Sequence, residues 1–200
     1  MKQAVLIISG LLLVGNMILM AQDKKEKAPA LVSIDLLAGK QLYNLKTCGD
    51  CHNEGAEKYT ELPAKVNADS LEAHVTALEL PLVLRETKSA RRRAKYQRDE
   101  VDMIAAYLNN KKSVEAAPEN FVTAGFLMMQ NNCQNCHIIN GKGNETAPSL
   151  HGVANRHDRK WIIDHFKDPT AFVKDSQMPK FDKLSEAELG AMTDYLLKLQ

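Results

Sequence analysis

A five-residue pattern that occurs twice constrains this chain more than any other feature. The two copies read Cys48-Gly-Asp-Cys51-His52 and Cys133-Gln-Asn-Cys136-His137, and they contain all four cysteines of the 200-residue chain. In a C-x-x-C-H pattern the two thiols can bond to the vinyl groups of a haem, and the histidine can ligate the haem iron. The pattern therefore predicts two covalently bound c-type haems, ligated by His52 and His137.

Two other uses of paired cysteines fit this sequence less well. A thiol redox couple is expected beside a βαβ pattern, which the sequence lacks. A zinc site needs closely spaced ligands, but 81 residues lie between Cys51 and Cys133. Neither alternative explains why a histidine follows both cysteine pairs.

The repeat extends beyond the cysteine motifs. Pro63 and Pro148 each follow the motif histidine by 11 residues, and residues 100–108 match residues 188–196. Apolar residues recur at helical spacing in both of these stretches, and no segment predicts a strand. We therefore expect an all-α fold of two tandem domains, residues 34–112 and 118–200, joined by a linker at 113–117. The predicted helices cover residues 34–47, 70–80, 98–110, 118–132, 158–167 and 185–199.

The N-terminal segment is typical of an exported protein. Lys2 precedes an apolar stretch at residues 4–21, which ends at Ala21 before a charged run. We expect an export signal at residues 1–21 and a linker at 22–33; the alternative is an uncleaved membrane anchor. Either way, the predicted location of the protein is the periplasm. Removing residues 1–21 leaves 25 basic residues against 25 acidic ones, which argues against a general nucleic acid binder.

Several further features follow the second motif: Ala147-Pro148-Ser149-Leu150-His151-Gly152, Arg156, Trp161, Met178-Pro179 and the closing helix. With these features, residues 117–200 resemble a class I cytochrome c domain. Residues 34–112 are similar to the same family, with a poorer match in their middle. The resemblance implies a small helical fold wrapped around each haem, with electron transfer as its usual function.

The resemblance also implies a role for each matched residue of the second unit. In that family pattern, Cys133 and Cys136 hold the haem and His137 ligates its iron. The Pro148 carbonyl orients the histidine, and Met178 is the distal ligand. Arg156 and Trp161 lie near the haem propionates.

Met178 is also favoured by its surroundings. Its thioether is a soft, neutral ligand that suits low-spin haem iron, and Pro179 stiffens the loop that holds it. Because its neighbours in the sequence are polar, Met178 has no helical face to fill; the alternative is a loop methionine packed on any apolar surface. The other histidines of this unit are then ordinary surface or partly buried residues: His151, His157 and His165.

The first unit lacks an equivalent methionine. Ala90 stands where Met178 stands in the second unit, and no methionine lies between His52 and Met103. His74 is a candidate distal ligand, but it lies on an apolar face of a predicted helix. When the two units are aligned at Pro81 and Pro169, His74 corresponds to the apolar Ile162. His74 can therefore equally be a core residue. The other possibilities are a lysine such as Lys88 or Lys95, Met103, and an open coordination position.

Residues 84–98 carry seven basic residues and one acidic residue. The basic residues are Arg85, Lys88, Arg91, Arg92, Arg93, Lys95 and Arg98. Such a run can dock an acidic redox partner or pair with haem propionates, or it can be a solvated surface.

We expect an exported dihaem electron carrier rather than an enzyme, because no acid–base pair, nucleophile or phosphate-binding loop is evident. The alternative is a haem enzyme, or the cytochrome subunit of an oxidoreductase, with an open coordination position at the first haem. A haem-based gas sensor ranks last, because no output domain is evident.

Overall fold

The computed structural model describes residues 31–200. The predicted export signal or anchor at residues 1–21, and the predicted linker as far as residue 30, lie outside the described residues. Among the residues described, no helix has the length and apolar character needed to cross a membrane.

The described chain is built from eight α-helices and three short 3-10 helices. Residues 31–200 form no strand, and one antiparallel bridge joins Ile139 and Lys142. The all-α prediction is confirmed. The α-helices are α1 (Ile34–Leu45), α2 (Gly49–His52), α3 (Ala68–Ala77), α4 (Ala90–Asn109), α5 (Lys111–Glu115), α6 (Glu119–Gln130), α7 (Arg159–Lys167) and α8 (Glu186–Leu196). The 3-10 helices are Cys133–Asn135, Val153–Asn155 and Pro169–Ala171.

Helix α4 differs most from its predicted bounds, and α5 was not predicted. Helix α4 begins at Ala90 rather than near residue 98, and the Ser89 side chain caps it by accepting from the Arg92 amide. Its basic first turns show no apolar periodicity, which is why the sequence pattern placed its start too late. Helix α5 occupies part of the predicted linker at 113–117, because the fully buried Val114 anchors this segment to the core.

The first and last long helices of each unit pack against each other, α1 with α4 and α6 with α8. Helix α1 also packs against α6, and Leu31–Gln200 form one compact unit. The crossings are close: a Cβ at Gly39 would lie 2.1 Å from the Met103 carbonyl oxygen, and one at Gly125 would lie 2.5 Å from Leu37 Cβ. Because the two units share this packing, their division into separate domains stays a prediction.

A buried ion pair fixes the chain just before the first cysteine motif. Lys46 Nζ lies 2.7 Å from Glu100 Oε2, and each side chain is 1% exposed. Lys46 also donates to the Pro81 carbonyl at 2.5 Å, while Glu100 Oε1 accepts from the amides of Val83 and Leu84 at 2.7 and 2.6 Å. The pair therefore joins the end of α1, the 81–84 segment and α4 at one point.

Candidate functional site

The first cysteine motif forms a single helical turn. The His52 amide donates to the Cys48 carbonyl at 3.1 Å, so Cys48, Cys51 and His52 lie at positions i, i+3 and i+4. His52 Nδ1 lies 2.8 Å from the Thr60 carbonyl oxygen. Because a carbonyl oxygen can only accept, Nδ1 carries the proton and Nε2 keeps its lone pair for a metal. The turn therefore carries both cysteines and a histidine whose Nε2 lone pair is available to a metal.

The second motif has the same arrangement. The His137 amide donates to the Cys133 carbonyl at 3.0 Å, and His137 Nδ1 lies 2.7 Å from the Pro148 carbonyl oxygen. Arg156 donates to the carbonyls of Ser149 and His151 at 2.9 and 3.2 Å, and so fixes the loop that follows Pro148. The contact implied for Pro148 is therefore present.

Burial disfavours the thiolate form of one cysteine in each motif. All four are free, and burial raises the pKa of Cys133 to about 12. Burial also raises the pKa of Cys48. Reactive redox thiols instead have lowered pKa values, because the thiolate is the reacting form. The electrostatics therefore disfavour a thiol–disulfide couple.

His52 and His74 lie close together although 22 positions separate them in the sequence. Their ring centroids are 6.0 Å apart, with an interplanar angle of 62°. A histidine nitrogen ligates a transition metal at about 2 Å, so two imidazoles on opposite sides of one iron have centroids roughly 6 Å apart. The separation of the His52 and His74 rings is of this size.

Local structure determines where His74 lies. The Asn67 side chain caps α3 by accepting from the amides of Asp69 and Ser70 at 2.8 and 3.1 Å. Val75, the residue next to His74, is buried. The capped helix and its buried contact therefore present His74 to His52.

The other candidate ligands predicted for the first unit do not line the cavity that His52 lines. Met103 is buried in α4, and with Lys95 it lines a cleft of about 270 Å³ beside Met128 and Gln134. Lys88 is exposed in the segment before α4. His52 lines a different cavity, of about 500 Å³, whose apolar residues are Leu62, Pro63, Val66 and Leu108.

Met178 lies in a loop that is fastened to α7. The methionine is half-buried against the core, and its amide donates to Ser176 Oγ at 3.3 Å. Beyond it, the Phe181 amide donates to the Phe166 carbonyl at 2.8 Å, and Lys180 pairs with Asp168 at 2.8 Å. A loop held at this point can keep a thioether in a fixed position.

Trp161, a residue of α7, is the centre of an aromatic cluster. His157 lies 3.4 Å from it and His165 lies 4.6 Å from it, both nearly parallel, and Phe172 meets its edge at 5.2 Å. The predicted roles of Arg156, Trp161 and Met178 at a haem stay predictions, because a contact among side chains does not by itself reveal a ligand.

Sequence reasoning missed Thr60, whose carbonyl does for His52 what the Pro148 carbonyl does for His137. Matching Pro63 to Pro148 suggests the wrong residue in the first unit, since the carbonyl that contacts His52 lies three positions earlier. No side-chain motif marks a residue that acts only through its backbone.

Residues 122–200 match the Cytochrome c family model. The match supports a c-type cytochrome domain in this part of the chain, and such a domain implies covalently bound haem c and haem-based electron transfer. The first unit lies outside the matched residues. No curated protein and no solved structure matches the chain significantly.

Proposed function

We propose that the chain is an exported dihaem cytochrome c that carries electrons between redox proteins. The observation that carries this proposal is the likeness of the two motif turns, in each of which a backbone carbonyl holds Nδ1 of the histidine and leaves Nε2 for iron. When bound, the haems supply the redox chemistry. The chain supplies the ligands, holds them in place and limits the access of water.

His74 is the distal ligand of the first haem, and Met178 is the distal ligand of the second. The 6.0 Å spacing of the His52 and His74 rings supports the first assignment. The fastened loop after α7 supports the second. Imidazole stabilises ferric iron more than a thioether does, so the first haem has the lower potential. Electrons then pass downhill from the first haem to the second.

The test is EPR of the oxidised full chain, compared with a redox titration. We expect two low-spin signals and two one-electron steps, and His74→Ala should remove one low-spin signal and the lower-potential step. Leu78→Ala is the matched control, because Leu78, the C-cap of α3, lies one turn after His74 and is 55% exposed. If His74→Ala leaves both signals unchanged, His74 is not a ligand.

A haem enzyme or oxidoreductase subunit is the second candidate. Two observations favour it: His74 is exposed on α3, and a cavity of about 500 Å³ adjoins His52. An open first haem would give a high-spin ferric component that shifts when cyanide is added. A fully low-spin spectrum that cyanide does not alter would reject this candidate.

The start of α4 is the docking surface for an acidic redox partner. Two of the seven basic residues pair with carboxylates: Arg85 pairs with Asp99 and lies over the Tyr96 ring, and Arg98 pairs with Asp69, Glu72 and Asp102. Arg93 donates to the Thr87 carbonyl at 3.2 Å. The other five are exposed: Lys88, Arg91, Arg92, Arg93 and Lys95.

The stability of the fold does not explain why basic residues lie at the start of α4. Basic side chains in the first turn of a helix oppose its dipole, at a cost of about 0.3–1 kcal/mol each at low salt. Gln97 donates to Thr76, so this end of α4 also contacts the helix that carries His74. A positive surface beside the first haem suits the entry of electrons from an acidic donor.

Charge reversal tests the docking surface. Arg91→Glu with Arg92→Glu should slow reduction by an acidic donor cytochrome or flavodoxin at low salt and leave reduction by dithionite unchanged. Lys183→Glu, at an exposed lysine of the second unit, is the control. Equal rates for both variants at low salt would reject this surface.

Export is also part of the proposal, with residues 4–21 acting as a cleaved signal or as an anchor. The apolar run and its charged boundaries support it. Fractionation of expressing cells, with the N-terminus read by mass spectrometry, tests it. Recovery of the haem protein in the cytoplasm with Met1 intact would reject export.

A further inference from the structure

We infer that His165 can replace Met178 as the distal ligand of the second haem when the methionine is removed. Its helix places His165 at the position that His74 occupies in the first unit. This inference rests on the proposed function, since it requires a haem attached at the second motif. It also revises the interpretation of His165 as an ordinary, partly buried histidine.

The register follows from the helix caps. Asn67 caps α3 and Asp158 caps α7, and each cap side chain accepts from the amide three residues later. His74 lies seven residues after Asn67, and His165 lies seven residues after Asp158. The two histidines therefore occupy the same position in equivalent helices.

Burial supports this register. The residue after each histidine is buried, with Val75 3% exposed and Phe166 6% exposed. The residues three positions before the histidines, Leu71 and Ile162, both pack in the core. Each histidine therefore stands in the same relation to the buried face of its helix. The proline alignment, which places His74 over Ile162, is wrong by three residues.

The surroundings of His165 suit a metal ligand. Within the described part of the chain, its Nδ1 atom is buried and has no hydrogen-bond partner. Its ring stacks on Trp161 at 4.6 Å and meets the edge of Phe172 at 5.7 Å. A buried imidazole nitrogen without a partner is costly, and ligation would satisfy it.

The two units differ in how this histidine lies relative to the proximal histidine. Among the described residues, His137 and His165 do not form the close ring pair that His52 and His74 form. Met178, rather than His165, is therefore the distal ligand when both residues are present.

The Met178 loop and the His165 helix are joined, so the loss of one ligand need not displace the other. The Phe166 carbonyl accepts from the Phe181 amide at 2.8 Å, and the two phenyl rings meet edge to face at 5.8 Å. These contacts involve residues next to His165 and close after Met178, but not the methionine side chain. Removing the thioether therefore leaves α7 held beside the haem site.

The experiment compares Met178→Ala with the double variant Met178→Ala/His165→Ala in the full chain. A second double variant, Met178→Ala/His157→Ala, is the control, because His157 also stacks on Trp161, at 3.4 Å. For each, the haem content, the ferric EPR spectrum and cyanide binding are measured. Haem content equal to wild type shows that the variant has folded and matured.

We expect Met178→Ala to keep its second haem low-spin, with a lower potential than in wild type. The His165 double variant should become high-spin at that haem and bind cyanide readily, whereas the His157 double variant should remain low-spin. A high-spin second haem in Met178→Ala itself would overturn the inference while leaving the dihaem proposal intact. A Met178→Ala spectrum and potential identical to wild type would overturn both the inference and the assignment of Met178.

Discussion

Glu100→Gln tests how the buried ion pair before the first cysteine motif supports the fold. Glutamine keeps an oxygen that can accept from the Val83 and Leu84 amides, so the change removes mainly the negative charge. The Lys46 ammonium, 1% exposed, is then left with the Pro81 carbonyl alone. Breaking a buried pair in this way costs about 3–5 kcal/mol.

The assay is guanidinium denaturation of the haem-loaded protein at neutral pH, followed by circular dichroism and by the haem absorbance. Asp194→Asn is the control, since it breaks the exposed pair with Arg159 and should cost less than about 1 kcal/mol. Lys46→Met/Glu100→Met should recover part of the loss, because no unpaired charge is then buried. If Glu100→Gln costs no more than Asp194→Asn, the buried pair does not stabilise the fold as we describe.

Three further predictions concern the helices. Gly125→Val places side-chain atoms in the α1–α6 crossing and should cost at least about 1–3 kcal/mol in denaturation, more than Gly125→Ala; equal stability to wild type would contradict the close packing. Asn67→Ala removes the cap of α3 and should lower the free energy of unfolding by about 1 kcal/mol. It should also raise the high-spin fraction of the first haem in EPR, and an unchanged spectrum would show that the cap does not position His74. Hydrogen bonds with Ser185 lower the pKa of Glu188 below its ordinary 4.5, so its contribution to stability is present above about pH 4.5 and is lost as the pH falls through the folded-state pKa. The stability difference between wild type and Glu188→Gln should therefore shrink in acid, and a difference that stays constant from pH 7 to pH 3 would contradict this.

Much of the fold could be predicted because its signals are local. The six predicted helices are all present, and Ser185 with Glu188 forms the capping box of α8. The start of α4 was missed because its first turns are basic on all sides, so apolar periodicity cannot locate them. A cap, not a hydrophobic face, sets that boundary.

The candidate site was predictable only where one residue type carries the chemistry. The motif cysteines and histidines are visible in the sequence, and so is the shortage of methionine that draws attention to His74. The carbonyl of Thr60 carries no side-chain signal. The correspondence between His165 and His74 was not visible in the sequence, because the two units differ in length here. The segment from Asn67 to Pro81 is three residues longer than the segment from Asp158 to Pro169.

The most direct test of the central claim is the intact mass of the full-length protein expressed with haem maturation factors, together with its pyridine haemochrome spectrum. We predict a mass equal to the polypeptide plus two haems, and a fall to one haem per chain in both Cys48→Ala/Cys51→Ala and Cys133→Ala/Cys136→Ala. A wild-type chain that carries one haem or none would contradict the assignment of a haem to each cysteine motif.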